Sequence, residues 1–353
     1  MTDEARRILV SARASRVFPA ATAEVGTSDA MLWRDAVGSL TFDDPTPVDL
    51  HTPFDLASLT KVIATASVIA TLVDAGGVRV GDLVGRYFSE WRGEDREGVT
   101  VRDLLEHASG LPARLVDAPP GAPSPSAPPS VRREFEHDIC GMPLEFPPRT
   151  QSVYSDLGFI LLGFLAADLA GEALDARFSR IWPDPSLAFG LTRSVRRRAA
   201  PTRPLDDDGR RGRMLVGEVH DNYAAALGGV AGHAGLFGTA PAVGRFARAI
   251  LAAARGVPEG VLAPERIRQF TTRSSVPGSS RALGWDTMLP SSSCGTRMSP
   301  AAFGHVGFTG TSLWIDPTRD RYFVLLTNRA AGGGTLDDMR LVRQAFHDAL
   351  GDV

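Results

Sequence analysis

Between Ser58 and Gly77 the chain carries a run of helical length with no polar face. Val62, Ile63, Ala64, Ala66, Val68, Ile69, Ala70, Leu72 and Val73 cover nearly every side, and Gly76-Gly77 supply a stop. A helix that is hydrophobic all round belongs in the middle of a protein, so the rest of the fold has to be wrapped around this segment. Two polar groups stand at its start, Ser58 and Lys61, and residues three apart on a helix are neighbours on one face. Lys61 is the only lysine among 38 basic residues. An arginine stays protonated in proteins, whereas an ammonium buried beside apolar groups can give up its proton. A serine hydroxyl becomes a useful nucleophile when a neighbouring base removes its proton. A lysine acting as that base near neutrality needs a pKa about three units below its usual ~10.4, a shift of on the order of 4 kcal/mol. Burial in this helix is the expected source of such a shift. The helix start also presents free N–H groups, so the Ser58 amide can stabilise an oxyanion. Taken alone, the pair is equally open to a plainer reading, a stray lysine beside an ordinary serine.

At 353 residues the chain predicts one large domain or two interleaved lobes. Its net charge of -3, with both signs mixed, argues against a nucleic-acid partner. The cluster of Arg196, Arg197, Arg198, Arg203, Arg210, Arg211 and Arg213 reads as a solvated loop and helix end. Cys140 and Cys294 lie far apart without a C-x-x-C, so neither a zinc site nor a disulfide framework is indicated. His220, Asp221 and His233 lack metal-site spacing, and no cofactor or metal is expected. The amino terminus has no signal-like apolar run and no membrane span is expected. As written the chain reads as cytoplasmic; a start codon further upstream would place it outside the cytoplasm. The sequence sets no oligomeric state.

Residues 3 to 16 have helical spacing, and Ala21 to Phe42 reads as a hairpin. Thr100-x-x-Asp103 predicts a capping box, with His107 in the helix's last turn as a cation suited to the dipole. The proline-rich stretch 112 to 150 predicts a long excursion without regular structure. Ser155 and Asp156 cap a second apolar helix that Gly171 stops, which leaves Tyr154 on the loop just before it. The segment Gly228 to Gly235 lacks Rossmann or Walker spacing and reads as a packed loop. Near the end, Thr311–Asp316 and Tyr322–Thr327 form a hairpin across Pro317-Thr318-Arg319-Asp320, and a capped helix begins at Thr335. Strands at both ends with helices between predict an α/β fold. Residues 1–80 and 242–353 form an α/β lobe, and 81–241 form a mainly helical lobe bearing the proline-rich loop at 112–150.

Three motifs then stand in a telling order: S-x-x-K at Ser58–Lys61, Tyr154-Ser155-Asp156, and His305-Val306-Gly307. Together with Leu104–Leu111, Leu283-Gly284-Trp285 and Gly307-Phe308-Thr309-Gly310, they resemble the penicillin-recognising serine hydrolases. The likeness is strongest to the class C β-lactamase group with its esterase and D-peptidase relatives. It implies an α+β lobe plus an all-helical lobe, an antiparallel sheet flanked by helices, and an active site between the lobes. It also implies that Ser58 is acylated, that Lys61 accepts or relays its proton, and that Tyr154 shares the base role. Gly307 would edge the site, the Phe308 amide would complete an oxyanion hole begun by Ser58, and His305 would anchor or polarise the substrate.

Two departures sharpen the expectation. Asp156 stands where the family has asparagine, and an ionised carboxylate cannot donate. It either holds Lys61 as an ion pair, raising the lysine pKa, or selects an amine-bearing substrate. His305 replaces a permanent cation, which favours a small ester or a D-amino-acid peptide or amide over efficient β-lactam hydrolysis. Asn328-Arg329, after the last strand, read either as a carboxylate-binding pair or as solvent-facing. The expected function is a serine hydrolase working through an acyl-enzyme on a small-molecule or peptide-like substrate. The alternative is a slow or inactive penicillin-binding-like sensor or scaffold.

Overall fold

The computed structural model describes residues 2–115, 129–258 and 260–351. In chain order the elements are α1 (Thr2–Ala14), β1 (Ala20–Gly26), β2 (Met31–Gly38), β3 (Phe54–Asp55), a π-helical turn (Lys61–Ala66) running into α2 (Ser67–Asp74), α3 (Val101–Leu105), α4 (Pro129–Gly141), α5 (Asp156–Ala170), α6 (Leu174–Ile181), β4 (Leu187–Phe189), α7 (Arg193–Arg196) and α8 (Asn222–Ala226). There follow β5 (Leu236–Gly238), α9 (Ala240–Ala254), α10 (Pro264–Thr271), β6 (Asp286–Thr287), β7 (Phe303–Val306), β8 (Ser312–Asp316), β9 (Arg321–Thr327) and α11 (Leu336–Leu350).

Six strands make one antiparallel sheet in the order β2-β1-β9-β8-β7-β6, so strands from both ends of the chain meet at β1 and β9. Every residue of β1 is buried, the alternating polar Thr22 and Glu24 included, because both faces of the sheet are covered. On one face α1 and α11 pack through Leu9, Phe18, Trp314, Phe323 and Phe346. On the other lies the larger core, which joins α9 and the sheet to α2, α5 and Trp285. The apolar segment is central as expected, with Ile63, Val68 and Ile69 fully buried. Burying each such side chain contributes about 1.5–3 kcal/mol.

A small second sheet, β3-β5-β4, carries the chain into the π turn. The wide turn is one feature the apolar pattern did not announce. It is held from outside the helix, where Thr65 Oγ1 donates to the Gly232 carbonyl at 2.7 Å. Inside it, Ser67 Oγ donates to the Val62 carbonyl at 3.2 Å. Turns of this type recur at functional sites.

Local signals were reliable where they concerned caps. Thr100 with Asp103 and Thr335 with Asp338 form reciprocal capping boxes, and Ser155 accepts from the Gly158 amide at the start of α5. The proline-rich excursion at 112–150 needs correction, because α4 lies inside it; its residues 116–128 fall outside the described residues. The helix starts at Pro129, a position where a missing N–H costs nothing. The proline-free stretch that follows puts Phe135 and Ile139 on one buried face. Among the described residues no single helix is long and apolar enough to cross a membrane.

Candidate active site

Ser58 sits at a corner between β3 and the π turn. The corner turns at Ala57, a non-glycine residue with φ of 48°, a conformation costing about 1–2 kcal/mol. The Asp55 carboxylate holds it, accepting from the Ala57 amide at 2.8 Å and from the His220 amide at 2.6 Å. Burial pushes the Asp55 carboxyl up to about 6, and these two amides oppose that rise. Ser58 is half-exposed while both chain neighbours are buried. Its Oγ accepts from Lys61 Nζ at 3.1 Å and from the Tyr154 hydroxyl at 2.6 Å.

Lys61 is fully buried and spends its remaining donors on Asp156 Oδ1 at 2.8 Å and the His233 carbonyl at 3.2 Å. Burial lowers the lysine pKa, as expected from the sequence. The Asp156 carboxylate and the Tyr154 oxygen outweigh it, so the net shift is upward. The expectation of a lysine primed as a neutral base is therefore reversed, and of the two roles open to Asp156 the ion pair is realised. The other Asp156 oxygen accepts from Arg114 Nη1 at 3.0 Å, so both Asp156 oxygens are paired with cationic side chains of the chain itself. The same Arg114 nitrogen reaches Asp221 Oδ2 at 3.1 Å, while Nη2 donates to Asn222 Oδ1 at 2.6 Å. Burial would raise the Asp221 pKa, but His233, 2.7 Å away, and Arg114 together hold it low. Asp156, Asp221 and His233 bring ligand atoms within 4.8 Å of one another. Arg114 Nη1 bridges Asp156 and Asp221 and Lys61 Nζ pairs with Asp156, so both carboxylates already have cationic side-chain partners.

Around Tyr154 stand two histidines and two cations. Its ring lies 4.7 Å from His107 and 5.9 Å from His305, with Lys61 Nζ 4.7 Å and Arg281 Cζ 5.1 Å from its centroid. His107 Nδ1 accepts from the Ser155 amide at 3.0 Å, which puts its proton on Nε2. His305 Nδ1 faces the Val306 carbonyl at 2.8 Å, so its Nε2 carries a lone pair. Neither Nε2 has a hydrogen-bond partner among the described residues. Burial first, then Arg281 and Lys61, push both histidines well below the usual range, and both are neutral at ordinary pH. His107 is thus not the helix-end cation expected from its position, and His305 offers a lone pair rather than a charge.

The third motif is tied to the first. Thr309 Oγ1 donates to the Asp55 carbonyl at 2.8 Å and Thr311 Oγ1 to the Leu56 carbonyl at 3.0 Å. Gly307 lies so close that a Cβ there would be 2.6 Å from the Leu56 carbonyl oxygen and 2.1 Å from Thr311 Oγ1. Phe308 follows, 42% exposed. The amides of Ser58 and Phe308 have no hydrogen-bond acceptor among the described residues. Asn328 takes no part in the site: it is buried, its Oδ1 accepts from the Ala20 amide at 3.0 Å, and its Nδ2 donates to the Leu40 and Pro201 carbonyls at 2.8 and 3.1 Å. A carboxylate-binding role for Asn328 is excluded by this full complement. Arg329 is likewise committed to the Phe308 and Gly334 carbonyls.

Sequence reasoning missed Arg114 and Arg281 altogether and weighed His107, Asp221 and His233 only as structural or metal-binding groups. Each reaches the site from a loop distant in sequence, and no local spacing announces any of them.

A model of the family described as Beta-lactamase matches residues 5–346. A protein of Escherichia coli O157:H7, provisionally named D-alanyl-D-alanine carboxypeptidase, is 29% identical over 325 residues, covering 83% of this chain and 72% of its own. Among solved structures, the hydrolase EstCE1, described as having promiscuous acyltransferase activity, superposes with a TM-score of 0.76 at 18% identity over 98% of both chains. The octameric penicillin-binding protein homologue of Pyrococcus abyssi has a TM-score of 0.76 at 19% identity, covering 99% of this chain and 77% of its own.

Proposed function

The chain belongs to the beta-lactamase family and is a serine hydrolase of that family; we propose that it works through an acyl-enzyme on Ser58, with Tyr154 as the base and Lys61 as a resident cation. The convergence of Tyr154 and Lys61 on one serine oxygen, at 2.6 and 3.1 Å, carries this reading. An oxygen flanked by two groups can attack only if one of them accepts its proton. Lys61 is held protonated by Asp156, which leaves Tyr154. In the reactive form the Tyr154 hydroxyl has given its proton to solvent; its oxygen takes that of Ser58 as Oγ bonds to the substrate carbonyl carbon, and passes it to the alcohol or amine as the bond from that carbon to the leaving group breaks. Lys61 and Arg281 beside its ring offset the negative charge on the phenolic oxygen. The carbonyl oxygen becomes an oxyanion between the Ser58 and Phe308 amides. Water then attacks the acyl-enzyme carbonyl carbon, gives a proton to the Tyr154 oxygen, and the C–Oγ bond breaks as that proton passes to Ser58 and the acid leaves.

The substrate we propose is a small ester or a D-amino-acid peptide, the classes that the names of its relatives span. With Asp156, Asn328 and Arg329 committed and His305 neutral, Arg281 is the cation placed to meet an anionic substrate group. Its closest carboxylate, Asp286, stands 3.9 Å away. Incubation with a fluorophosphonate, a p-nitrophenyl ester and a peptide ending in D-alanyl-D-alanine, with Ser58→Ala alongside, tests the reading. Labelling and turnover that vanish in Ser58→Ala are expected. Equal labelling of Ser58→Ala would remove Ser58 from the nucleophile's place, and labelling without turnover of any substrate would make the protein a sensor.

A further inference from the structure

Arg343, on α11, is an expensive residue in an unexpected place. Its side chain crosses from the outer helix layer into the interior, where it is 5% exposed. It has no carboxylate partner among the described residues; instead Nη2 donates to the Gly307 carbonyl at 2.7 Å and the Thr311 carbonyl at 2.9 Å. Burial lowers its pKa to about 9, with Arg329 adding to the effect. A buried cation without a counter-ion opposes folding, and packing alone would be served by an apolar side chain.

What it touches gives the reason. The Gly307 carbonyl and the Phe308 N–H belong to one peptide unit, and the chain has no cis peptide among its described residues. In a trans peptide these two groups point in opposite directions. Arg343 grips the carbonyl from the α11 side of the sheet, so the Phe308 N–H is turned the other way, off the side where α11 packs. The next carbonyl, that of Phe308, is gripped in turn by Arg329 Nη2 at 2.6 Å and Nε at 3.2 Å. Thr309 and Thr311 lock the same turn to the carbonyls of Asp55 and Leu56, just ahead of Ser58. The amide is therefore fixed on both sides while itself remaining without an acceptor among the described residues.

We propose that Arg343 is a positioning residue for the oxyanion site, which holds the 307–308 peptide in the orientation that presents the Phe308 N–H to the substrate. This rests on the acyl-enzyme reading above. An oxyanion forms only as the carbonyl is attacked, so loss of the clamp falls on kcat and leaves KM nearly untouched. In Arg343→Met the Gly307 carbonyl keeps the Gly310 amide and the Thr311 carbonyl keeps the Gly307 amide, so neither is stranded.

The test measures ester kcat and KM, inhibition by an alkyl boronic acid, and the urea midpoint for the parent, Arg343→Met and Arg343→Lys. A boronic acid forms a tetrahedral adduct with the serine and places an oxygen where the oxyanion would lie. Expected for Arg343→Met are a kcat lower by roughly 10- to 100-fold, a parallel loss of boronate affinity, a KM within about 3-fold, and an unchanged or raised urea midpoint. Arg343→Lys, with a shorter cationic reach, should recover part of both losses. Unchanged kcat and boronate affinity in either folded variant would overturn the proposal, as would a KM that rises while kcat holds. If Arg343→Met fails to fold, the same comparison is read from Arg343→Lys against the parent, where a parental kcat is the overturning result. Failure of the underlying reading looks different: the parent itself would bind no boronate and would label equally in Ser58→Ala.

Discussion

Asp156 keeps Lys61 charged, and replacing it separates two mechanisms that share the same residues. In Asp156→Asn the carboxylate that raises the Lys61 pKa is gone, the lowering by burial is opposed by Tyr154 alone, and the lysine loses its proton at lower pH. If Lys61 must be a cation while Tyr154 is the base, the alkaline limb of the kcat/KM profile moves to lower pH. If Lys61 were the base, the acid limb would move instead and activity near pH 6 would rise. The first outcome is expected, and a pH profile of ester hydrolysis from 5 to 10 decides it. Tyr154→Phe tests the other half: loss of the proton acceptor is expected to slow Ser58 acylation by roughly 10²–10⁴-fold, read from the fluorophosphonate labelling rate, with little change in the urea midpoint. The Ser58–Lys61 contact was legible from spacing, since it spans one helical turn, whereas Tyr154 lies 96 residues from Ser58 and entered only through the family resemblance. The sign of the lysine shift was half legible, because the sequence offered Asp156 but not its second partner. Arg114 and Asp221 come from other segments and ensure that Asp156 presents a single oxygen to Lys61.

At the scale of elements, the loop that supplies the His233 carbonyl to Lys61 is seated by contact between backbones. A Cβ on Gly232 would lie 2.0 Å from the Phe159 carbonyl oxygen and 2.8 Å from the Gly163 nitrogen, both in α5. Backbone cannot step aside as a flexible side chain would, so Gly232→Ala must lift the loop, and with it the acceptors of Thr65 and Lys61. We expect a stability loss of about 1–3 kcal/mol by urea unfolding together with slower acylation. Gly81→Ala, where a Cβ meets nothing within 4 Å, is the control and should stay within about 0.5 kcal/mol of the parent. These contacts explain which elements could be read in advance. Capping boxes, the two hairpins and the C-terminal helix depend on neighbours a few residues away, and the sequence held all of them. The π turn after Ser58 depends on a bond from Thr65 to a loop far along the chain, which no periodicity reports. Helix α4 was hidden for a different reason, because proline density on either side obscured a proline-free amphipathic stretch.

Across the whole molecule, Asp55 joins the pieces that make the site. Its side chain binds the Ala57 corner and the His220 amide of the helical region, and its carbonyl receives Thr309 from the turn after β7. A carboxyl in that position couples the assembly to pH. Its folded pKa, about 6, exceeds the unfolded value of 3.8, chiefly through burial, so the folded state holds a proton that the unfolded state releases first. The resulting stability is fully present below pH 3.8 and is lost as pH rises through about 6, an amount on the order of 3 kcal/mol. The buried histidines His107, His305 and His347 run the other way. Their folded pKa values are depressed, so their contribution is present above the unfolded value of 6.5 and declines on acidification. The two trends overlap in the parent, and subtraction separates them. Asp55→Asn leaves the histidines in place and removes the carboxyl, introducing an offset that does not vary with pH, because an amide cannot accept from both amides. The difference in unfolding free energy, parent minus Asp55→Asn, should therefore fall between pH 4 and about 6.5 and then level. Urea titrations at four or five pH values across that range would show it, and a flat difference would mean that Asp55 is ionised throughout and holds the corner as a carboxylate.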